Sequence, residues 1–409
     1  MCEGGPPDEA FPPAVPVYLP GMEPPEPTRD TDRLQSFRHR LLSFFREESR
    51  DLPWRQASDP YRIWVSEIML QQTRVETAVP YYREWVRRFP DLEALADAEE
   101  EEVLELWAGL GYYARARNLH SAARVVRDRF GGCLPRDPDT LRELPGVGEY
   151  TAGAVASIAF GVAVPAVDGN VRRVLARIHD VENPTPAQLR TWAGELVDPD
   201  SPGEFNQALM ELGSTVCRPW DPHCSRCPVE GHCLAAKRGT ARERPAAKRA
   251  PRVRRMDVGV AIPVRPGDGG TQGARVLIRR RPREGLLGGT WEFPGAEASG
   301  PESAREAAVL AAAEEGWSDV EVGPALPTVR HRFSHRAAEY RPFLFIAQRT
   351  SEPRGEDEDT SSVEAGTADR AWVAVDELGR VALPAAQRKI AELVRGRFAA
   401  DSRTSGDYG

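Results

Sequence analysis

Two different spacings of hydrophobic residues divide the chain. From about residue 31 to 236 the apolar residues recur every three or four positions, which is typical of amphipathic helices. The clearest helical runs cover residues 34–46, 62–77, 104–110 and 171–178. Capping or helix-breaking residues separate these runs, so the pattern predicts an all-helical module over residues 31–236.

The spacing changes after Met256. Short segments rich in β-branched and aromatic residues and bounded by Gly and Pro are typical of strands. They cover residues 257–265, 274–280, 289–295, 341–348 and 371–375. Two helical stretches, 303–315 and 385–398, interrupt them. The sequence therefore predicts a second domain of α+β type over residues 257–398.

Three segments have the composition of connections or tails. Residues 1–30 are rich in proline and are expected to be disordered. Residues 237–256 hold nine Lys or Arg against one Glu, together with two Pro, which predicts a basic linker. Residues 399–409 are expected to be a disordered end.

Composition and charge limit the class of protein. The chain has 409 residues, of which 41% are hydrophobic and 28% charged, and this excludes collagenous, fully disordered and polytopic membrane proteins. The net charge of −8 argues against a basic coat over the whole surface but permits a local basic face. The first 30 residues lack a basic start and an apolar run, so we expect a cytoplasmic protein without a signal peptide or membrane contact.

The segment 141–161 carries the strongest motif. Pro145, Gly146, Val147 and Gly148 predict a tight hairpin, and an apolar helix follows from about Tyr150. The N–H groups of such a hairpin, together with the helix dipole, bind a phosphate without reading its base. An ordinary turn between two helices is the alternative interpretation. The full string is typical of the helix-hairpin-helix of DNA repair proteins.

Two carboxylates suggest chemistry on a glycosidic bond. Asp168 lies at the N-terminus of the helix that contains the run 171–178, where the helix dipole favours its ionised form, although a plain N-cap is the simpler interpretation. Glu67 lies on an apolar helix face, where desolvation raises the pKa of a carboxyl and makes it a proton donor, unless the residue is exposed. A protonated and an ionised carboxyl together suit an oxocarbenium-like transition state.

Four cysteines within 17 residues form a candidate metal site. Cys217, Cys224, Cys227 and Cys233 are spaced C-x6-C-x2-C-x5-C. Zinc ligands usually come as two close pairs, and here only one close pair is present. The wide first gap favours a 4Fe–4S cluster, with zinc as the alternative.

The sequence resembles the adenine DNA glycosylase (MutY) family over roughly residues 34–398. The matching strings are WVSEIMLQQTRVETAVPYY, LWAGLGYYARARNLH, LPGVGEYTAGAVASIAFG, VDGNVRRVLAR, FNQALMELG and the four cysteines, with LLGGTWEFPG and HRFSHR in the second domain. The resemblance implies an all-helical module with helix-hairpin-helix 141–161 and iron–sulfur loop 217–233, followed by a Nudix-like domain. It also implies removal of adenine mispaired with 8-oxoguanine.

The resemblance also assigns roles to single residues. It implies that Glu67 protonates the departing adenine and that Asp168 stabilises the sugar cation, with Tyr150 and Asn170 in supporting positions. The other positions that it implies are Arg55 and Gln207 in the adenine pocket, Leu70, Gln72, Thr73, Tyr112, Gly146, Val147 and Gly148 at the DNA, and Phe333, Ser334 and His335 in lesion recognition. The four cysteines match the cluster ligands.

The positions of the lysines separate related activities. The endonuclease III branch carries a lysine in the hairpin motif, where this chain has Tyr150, and that lysine cuts the DNA backbone through a Schiff base. The three lysines of this chain all follow residue 236, so the lyase nucleophile is missing. We therefore expect a monofunctional glycosylase, with an endonuclease III-like glycosylase/lyase as the alternative.

The second domain departs from active Nudix hydrolases. Counted from Gly295, the first glutamate position of their magnesium-binding box holds Pro301, and Glu314 and Glu315 abut Gly316 without a spacer. Recognition of the opposite base is therefore the better role. The remaining alternatives are a nucleotide-sanitising hydrolase and a non-catalytic DNA-binding protein with a structural metal. The expected partner is double-stranded DNA containing an A:8-oxoguanine or A:G mispair, bound by a monomer.

Overall fold

The structure is a computed structural model that describes residues 29–56, 58–247, 253–267, 270–282, 287–317, 321–333, 336–346, 369–381 and 383–404. The chain forms two compact units. The first unit contains Met1–Asp97 and Asn118–Lys248, and the second contains Ala98–Arg117 and Arg249–Gly409. The predicted tail up to residue 28, linker residues 248–252 and the last five residues lie outside the described residues.

The predicted helical region forms twelve helices among the described residues. They are α1 (Arg29–Glu48), α2 (Pro60–Leu70), α3 (Val75–Arg88), α4 (Leu92–Asp97), α5 (Glu100–Trp107), α6 (Ala114–Phe130), α7 (Pro138–Arg142), α8 (Glu149–Phe160), α9 (Gly169–Ile178), α10 (Pro186–Leu196), α11 (Pro202–Thr215) and α12 (Leu234–Arg238). Helix α12 and a 3₁₀ turn at Ala241–Glu243 extend into the predicted linker.

The predicted helix over residues 62–77 was wrong in one respect, because two helices cover it. Helix α2 ends at Leu70 and α3 begins at Val75. Between them Gln72 has a left-handed backbone with φ of 56°. An L-residue in that region interrupts the i→i−4 hydrogen bonds, so the chain turns there.

Helix α11 lies at the centre of the first unit. Phe205, Leu209 and Leu212 are almost fully buried in a core that α1, α9 and α10 also supply. Helix α8 is buried over its central part, from Thr151 to Ser157. Burial of this apolar surface is the main favourable free energy of the unit, and it fixes α2, α8, α9 and α11 as neighbours.

The second unit contains an eight-stranded sheet among the described residues. Its strands are β1 (Arg254–Gly267), β2 (Gly270–Arg280), β3 (Trp291–Glu292), β4 (Gly295–Ala298), β5 (Glu321–Ala325), β6 (Val329–Arg332), β7 (Arg336–Ile346) and β8 (Arg370–Ala374), and its helices are α13 (Ala304–Glu314) and α14 (Ala385–Thr404). The main path runs β3-β2-β1-β7-β5; β4 pairs with β1, β6 with β7 and β8 with β2.

Alternate residues of β1 point to opposite faces of this sheet. Val260 and Ile262 pack in the core that contains Ile390 of α14, whereas Ala261 packs in a second core with Ala308 of α13. Both faces are covered, which explains the nearly continuous hydrophobic run of β1. The predicted α+β type is confirmed. Helix α14 continues to Thr404, beyond the predicted end at residue 398.

None of the helices in the described part of the chain combines the length and apolar character needed to cross a bilayer.

Candidate active site

A cleft of about 1110 Å³ opens in the first unit. Most of the predicted site residues line it, namely Arg55, Glu67, Leu70, Gln72, Thr73, Gly146, Gly148, Tyr150, Asp168, Asn170 and Gln207. They come from α2, α8, α9 and α11 and from the connections beside these helices. Residues distant in sequence thus surround one space that is large enough for a nucleobase and its sugar.

Glu67 faces this cleft from α2. The helix begins at the N-cap Asp59, whose side chain accepts a hydrogen bond from the N–H of Tyr61. Glu67 is only 6% exposed, between buried residues of the same helix. Burial raises the pKa of Glu67 to about 7, and the charge of Asp168 adds to this effect. The predicted rise in the pKa of Glu67 is confirmed. A large fraction of the Glu67 side chains therefore carries a proton at neutral pH.

Tyr150 holds the carboxyl of Glu67 in place. It lies in the first turn of α8, and its hydroxyl donates a hydrogen bond of 2.5 Å to Oε2 of Glu67. The hydroxyl oxygen of Tyr150 also lies 3.3 Å from Sδ of Met210. Burial, with the charges of Glu67 and Asp168, keeps the pKa of Tyr150 well above its ordinary value. Tyr150 is therefore a neutral phenol and a hydrogen-bond donor.

Asp168 is the N-cap of α9. Its Oδ1 accepts from the N–H of Val171 at 2.7 Å and its Oδ2 accepts from Nδ2 of Asn170 at 2.8 Å. These hydrogen bonds favour the ionised form, as the helix position predicts. Burial has the larger effect, however, and the pKa of Asp168 is raised above its ordinary value. The sequence indicated the cap correctly but not the degree of burial.

Arg173 links Asp168 to the cysteine region. Its guanidinium donates to Oδ1 of Asn170 at 2.9 Å and to the carbonyl oxygens of Gly213 and Cys217 at 2.6 and 2.8 Å. The amide of Asn170 is therefore held on both sides, by Asp168 and by Arg173. In the sequence Arg173 is only one of two adjacent arginines, and no local pattern marks it.

Arg55 is anchored by a residue that the sequence analysis missed. Glu211 of α11 is buried and accepts from both Arg55 and Arg50 at 2.8 Å. Burial alone raises the pKa of Glu211, but the hydrogen bonds and charges of the two arginines outweigh it and the net pKa is lowered. The available signal was a carboxylate within the otherwise apolar string ALMELG. Gln207 lies one helical turn earlier and donates to the carbonyl of Gly203 at 3.3 Å.

Two family models match the chain. One is described as HhH-GPD superfamily base excision DNA repair protein and covers residues 65–199, and the other is described as NUDIX domain and covers residues 270–393.

Curated relatives match both regions together. The Adenine DNA glycosylase of Homo sapiens is 36% identical and the match covers 97% of this chain and 81% of that protein. The corresponding proteins of Mus musculus and Arabidopsis thaliana are 39% and 40% identical, over 77% and 64% of this chain and 71% and 47% of their own lengths.

The chain belongs to the adenine DNA glycosylase family. Membership confirms the fold class predicted from the sequence, a helix-hairpin-helix module followed by a Nudix domain. It also confirms that the chain is a DNA glycosylase, an enzyme of base excision repair.

The helix-hairpin-helix of this family member forms one rim of the cleft. Asp137 caps α7 by accepting from the N–H of Thr140 at 2.8 Å. Gly146 has φ of 76°, Val147 is buried and Gly148 is the N-cap of α8. Because Gly148 has no side chain, no side-chain hydrogen bond caps the first-turn N–H groups of α8. These groups lie at a helix N-terminus, where an anion is favoured.

The turn after α2 forms another part of the cleft. Leu70 ends α2, and its carbonyl accepts from the N–H of Thr73 at 3.3 Å. Gln71 donates from Nε2 to the hydroxyl of Thr151 at 3.1 Å, which ties the turn to α8. The left-handed Gln72 follows. A strained, non-glycine residue at a cleft is typical of functional positions.

The four cysteines lie after α11. Cys217, Cys224, Cys227 and Cys233 are free thiols, and each is partly buried. Burial raises the pKa of Cys227 to about 12, and the charges of the other three cysteines add to this effect. Among the described residues, no three His, Cys, Asp or Glu side chains are placed to hold a single metal ion.

Arg177 of α9 organises the start of this cysteine loop. Its buried guanidinium donates to Sγ of Cys217 at 3.2 Å and to the carbonyls of Cys217, Arg218 and Pro219 at 3.1, 2.8 and 2.9 Å. Nε donates to the carbonyl of Arg244 at 2.9 Å. These acceptors satisfy the guanidinium of Arg177, as a buried charge requires.

The remaining predicted residues belong to the second unit. Tyr112 is 44% exposed and has φ of 51°. Phe333 follows β6, and its N–H donates to the carbonyl of Arg336 at 2.7 Å. Ser334 and His335 lie outside the described residues.

Arginines engage the carboxylates near the degenerate Nudix box. Arg279 of β2 lies 3.3 Å from Glu292 and 3.1 Å from Glu315, and Arg370 lies 2.6 Å from Glu315. Glu292 and Glu315 are both buried. These carboxylates thus have cationic side-chain partners within the second unit.

Proposed function

We propose that this glycosylase removes adenine paired with 8-oxoguanine or guanine in double-stranded DNA. The observation that carries the proposal is the pair of buried carboxyls, Glu67 and Asp168, in one cleft of the first unit. The adenine must leave the base stack to enter such a cleft, at a cost of about a few kcal/mol. The proposal follows the function of the named relatives.

Glu67 acts as the general acid. With a pKa of about 7 it carries a proton at neutral pH and transfers that proton to a ring nitrogen of the flipped adenine. Tyr150 donates to Oε2 and so orients the carboxyl. Protonation makes the base a better leaving group, because the electrons of the glycosidic bond then pass to a neutral adenine.

Asp168 acts on the sugar. As the base leaves, positive charge develops on the deoxyribose, and the ionised carboxylate of Asp168 stabilises it. The N–H of Val171 and the amide of Asn170 hold both carboxylate oxygens in position. Water then completes the hydrolysis. Because the chain has no lysine before residue 237, the reaction ends at the abasic site.

The pocket wall recognises the adenine. Arg55 and Gln207 both line the cleft. The buried carboxylate of Glu211 fixes the guanidinium of Arg55, which leaves little freedom for its orientation. Preorganised donors of this kind cost no reorganisation when the base enters.

Residues of both units contact the DNA backbone and bases. Gly146, Val147 and Gly148 supply a phosphate site at the N-terminus of α8. Leu70, Gln72 and Thr73 contact the duplex from the turn after α2, and Tyr112 stacks on a base beside the mispair. The protein acts as a monomer on chromosomal DNA.

The second unit reads the base opposite the adenine. Phosphate contacts carry no base identity, so selectivity for 8-oxoguanine needs a separate contact with that base. The segment with Phe333, Ser334 and His335 supplies it. The arginine partners of Glu292 and Glu315 support recognition rather than magnesium-dependent hydrolysis as the role of this unit.

Cys217, Cys224, Cys227 and Cys233 hold a 4Fe–4S cluster. The chemistry of the donor set fits, because it consists of four free, partly buried thiols in one loop, and the buried guanidinium of Arg177 donates to Sγ of Cys217. When bound, the cluster cross-links the loop 217–233 through four thiolates. Protein purified without oxygen should be brown and contain about four irons per chain. Colourless protein with one zinc per chain would contradict this assignment.

Single-turnover assays on matched duplexes test the activity. We expect the wild-type chain to release adenine opposite 8-oxoguanine and guanine but not opposite thymine. Glu67→Gln and Asp168→Asn should each lower the rate by at least ~10²-fold while DNA still binds. Glu93→Gln and Asp200→Asn, at exposed positions of the same unit, are the matched controls. Wild-type rates in either active-site variant would disprove the mechanism, and a lysine adduct trapped by borohydride would indicate a lyase.

A further inference from the structure

The segment that carries Tyr112 belongs to the second compact unit, although it lies within the residues matched by the HhH-GPD model. It consists of α5, a turn and the first residues of α6. In this turn Gly109 and Gly111 have φ of 116° and 73°, and Tyr112 itself has φ of 51°. Tyr112 keeps 44% of its surface exposed. An exposed aromatic ring on a left-handed backbone must be held by its surroundings.

The side chains of Trp107 and Arg115 hold this turn in place. Trp107 is fully buried and donates from Nε1 to the carbonyl of Gly111 at 3.0 Å. Arg115 donates to the same carbonyl at 3.2 Å, and its guanidinium lies 5.1 Å from the ring centre of Trp107 and 5.6 Å from that of Tyr112. The exposed ring therefore rests on a cation whose position is itself fixed.

Strands β2 and β3 and the connection between them hold both ends of the segment. At one end the carboxylate of Glu101 accepts hydrogen bonds from Arg280 at 2.8 Å and from Nε1 of Trp291. At the other end Arg117 donates to the carbonyl of Gly288. Arg280 and Trp291 are direct cross-strand partners, and the guanidinium lies 4.7 Å from the indole ring centre. Both donors are thus ordered before they meet Glu101.

The Glu101 contact has the properties of a strong and specific restraint. The side chain of Glu101 is 17% exposed and that of Arg280 18%. Trp291 is 3% exposed. A charge-assisted pair at this depth is screened much less than a surface ion pair. The nearby Glu99 of the same acidic run is exposed and its side chain makes no cap hydrogen bond.

We propose that Glu101 is a positioning residue, through which Arg280 and Trp291 of the Nudix unit set Tyr112 for stacking on DNA. The inference rests on the proposed function, because it needs a mispair-dependent reaction to report on it. Helix α5 is a rigid element of two turns between Glu101 and Trp107, so a shift at Glu101 moves the indole that bonds to Gly111. The second unit thereby affects discrimination between 8-oxoguanine and guanine through the ring of Tyr112 as well as through its own contact with the opposite base.

Full-length variants test this role. Glu101→Gln removes the charge and Trp291→Phe removes the indole donor while keeping an aromatic ring; Glu99→Gln is the matched control. Single-turnover rates opposite 8-oxoguanine and guanine give the discrimination ratio. A 2-aminopurine beside the mispaired guanine reports unstacking by fluorescence, which a purely structural role would not move. Thermal unfolding of each variant serves as the folding check.

We expect both variants to reduce the discrimination ratio and the 2-aminopurine signal by about tenfold, as the loss of one charge-assisted hydrogen bond predicts. Glu99→Gln should leave both unchanged. Combined with Tyr112→Ser, neither variant should add a further loss, because all act through the same ring. If Glu101→Gln does not fold, the discrimination ratio and the 2-aminopurine signal of Trp291→Phe test the proposal.

Three outcomes separate the hypotheses. Additive losses in the Tyr112→Ser background would overturn the positioning role of Glu101, and so would an unchanged ratio in folded Glu101→Gln and Trp291→Phe. Absence of adenine release by the wild-type chain would instead overturn the proposed function.

Discussion

The hydroxyl of Tyr150 donates a hydrogen bond of 2.5 Å to Oε2 of Glu67, in a site where burial keeps the phenol neutral. The bond stabilises the ionised form of Glu67 and so opposes the rise in pKa that burial causes. Tyr150 therefore lowers the pH up to which Glu67 remains a proton donor.

Tyr150→Phe should shift the pH dependence of base release. Without the hydroxyl, the pKa of Glu67 rises above about 7, so the protonated acid persists to higher pH. The rate at the plateau should fall, because the carboxyl is less well oriented, while the alkaline limb of the profile moves upward. Single-turnover rates between pH 5 and 9 measure both effects. A limb that stays in place or moves to lower pH would contradict this account of Glu67.

Glu67→Gln should change the pH dependence of stability. The folded-state pKa of about 7 lies above the ordinary value for glutamate, so this group stabilises the fold at low pH and that contribution is lost as pH rises through 7. The loss amounts to about 3 kcal/mol by the usual conversion. In Glu67→Gln the free energy of unfolding of the first unit should decline less between pH 5 and 8. Urea titrations at both pH values test this, and parallel curves for the two proteins would refute it.

Glu211→Gln should disrupt the pocket more than Glu204→Gln does. Glu211 is buried and bonded to Arg50 and Arg55, so its neutralisation leaves two cations without their counter-charge at a cost of about 3 kcal/mol. Glu204, on the same helix, pairs with the exposed Arg46 and should matter by less than about 1 kcal/mol. Chemical denaturation and the rate of adenine release compare the two variants. Equal effects would mean that Glu211 is not the anchor of Arg55.

Gly146→Ala and Gly161→Ala separate crowding from backbone strain. Both glycines have positive φ, but a Cβ at Gly146 would lie 2.6 Å from Cβ of Asn118, whereas Gly161 has no atom within 4 Å. Gly161→Ala should cost about 1 kcal/mol of strain, and Gly146→Ala more, because Asn118 must move. Only Gly146→Ala should also weaken binding to undamaged duplex DNA. The prediction fails if the two variants bind DNA equally well.

Local signals allowed the sequence to predict several elements correctly. The cap Asp168 and the apolar face around Glu67 were visible because each depends on residues within one or two helical turns. The break at Gln72 was not visible, since glutamine carries no signal for a left-handed backbone. Strand β5 and strand β6 were also missed, because neither shows a clear alternation of apolar residues.

Contacts between distant residues account for most of what the sequence did not predict. Glu211 lies 161 and 156 positions from its partners Arg50 and Arg55, so no local pattern marks it. The raised pKa of Asp168 has the same origin, because its burial depends on the assembled cleft. Glu101 and Trp291 are 190 positions apart and likewise carry no shared local signal.

The division of the chain into two units has a consequence for folding. The chain enters the second unit at residue 98, leaves it after residue 117 and returns at residue 249. During synthesis on the ribosome, α5 and the Tyr112 turn are therefore made long before β2 and β3. Glu101 can form its hydrogen bonds with Arg280 and Trp291 only after most of the polypeptide has been synthesised. Contacts between residues so far apart in sequence raise the contact order, which slows folding.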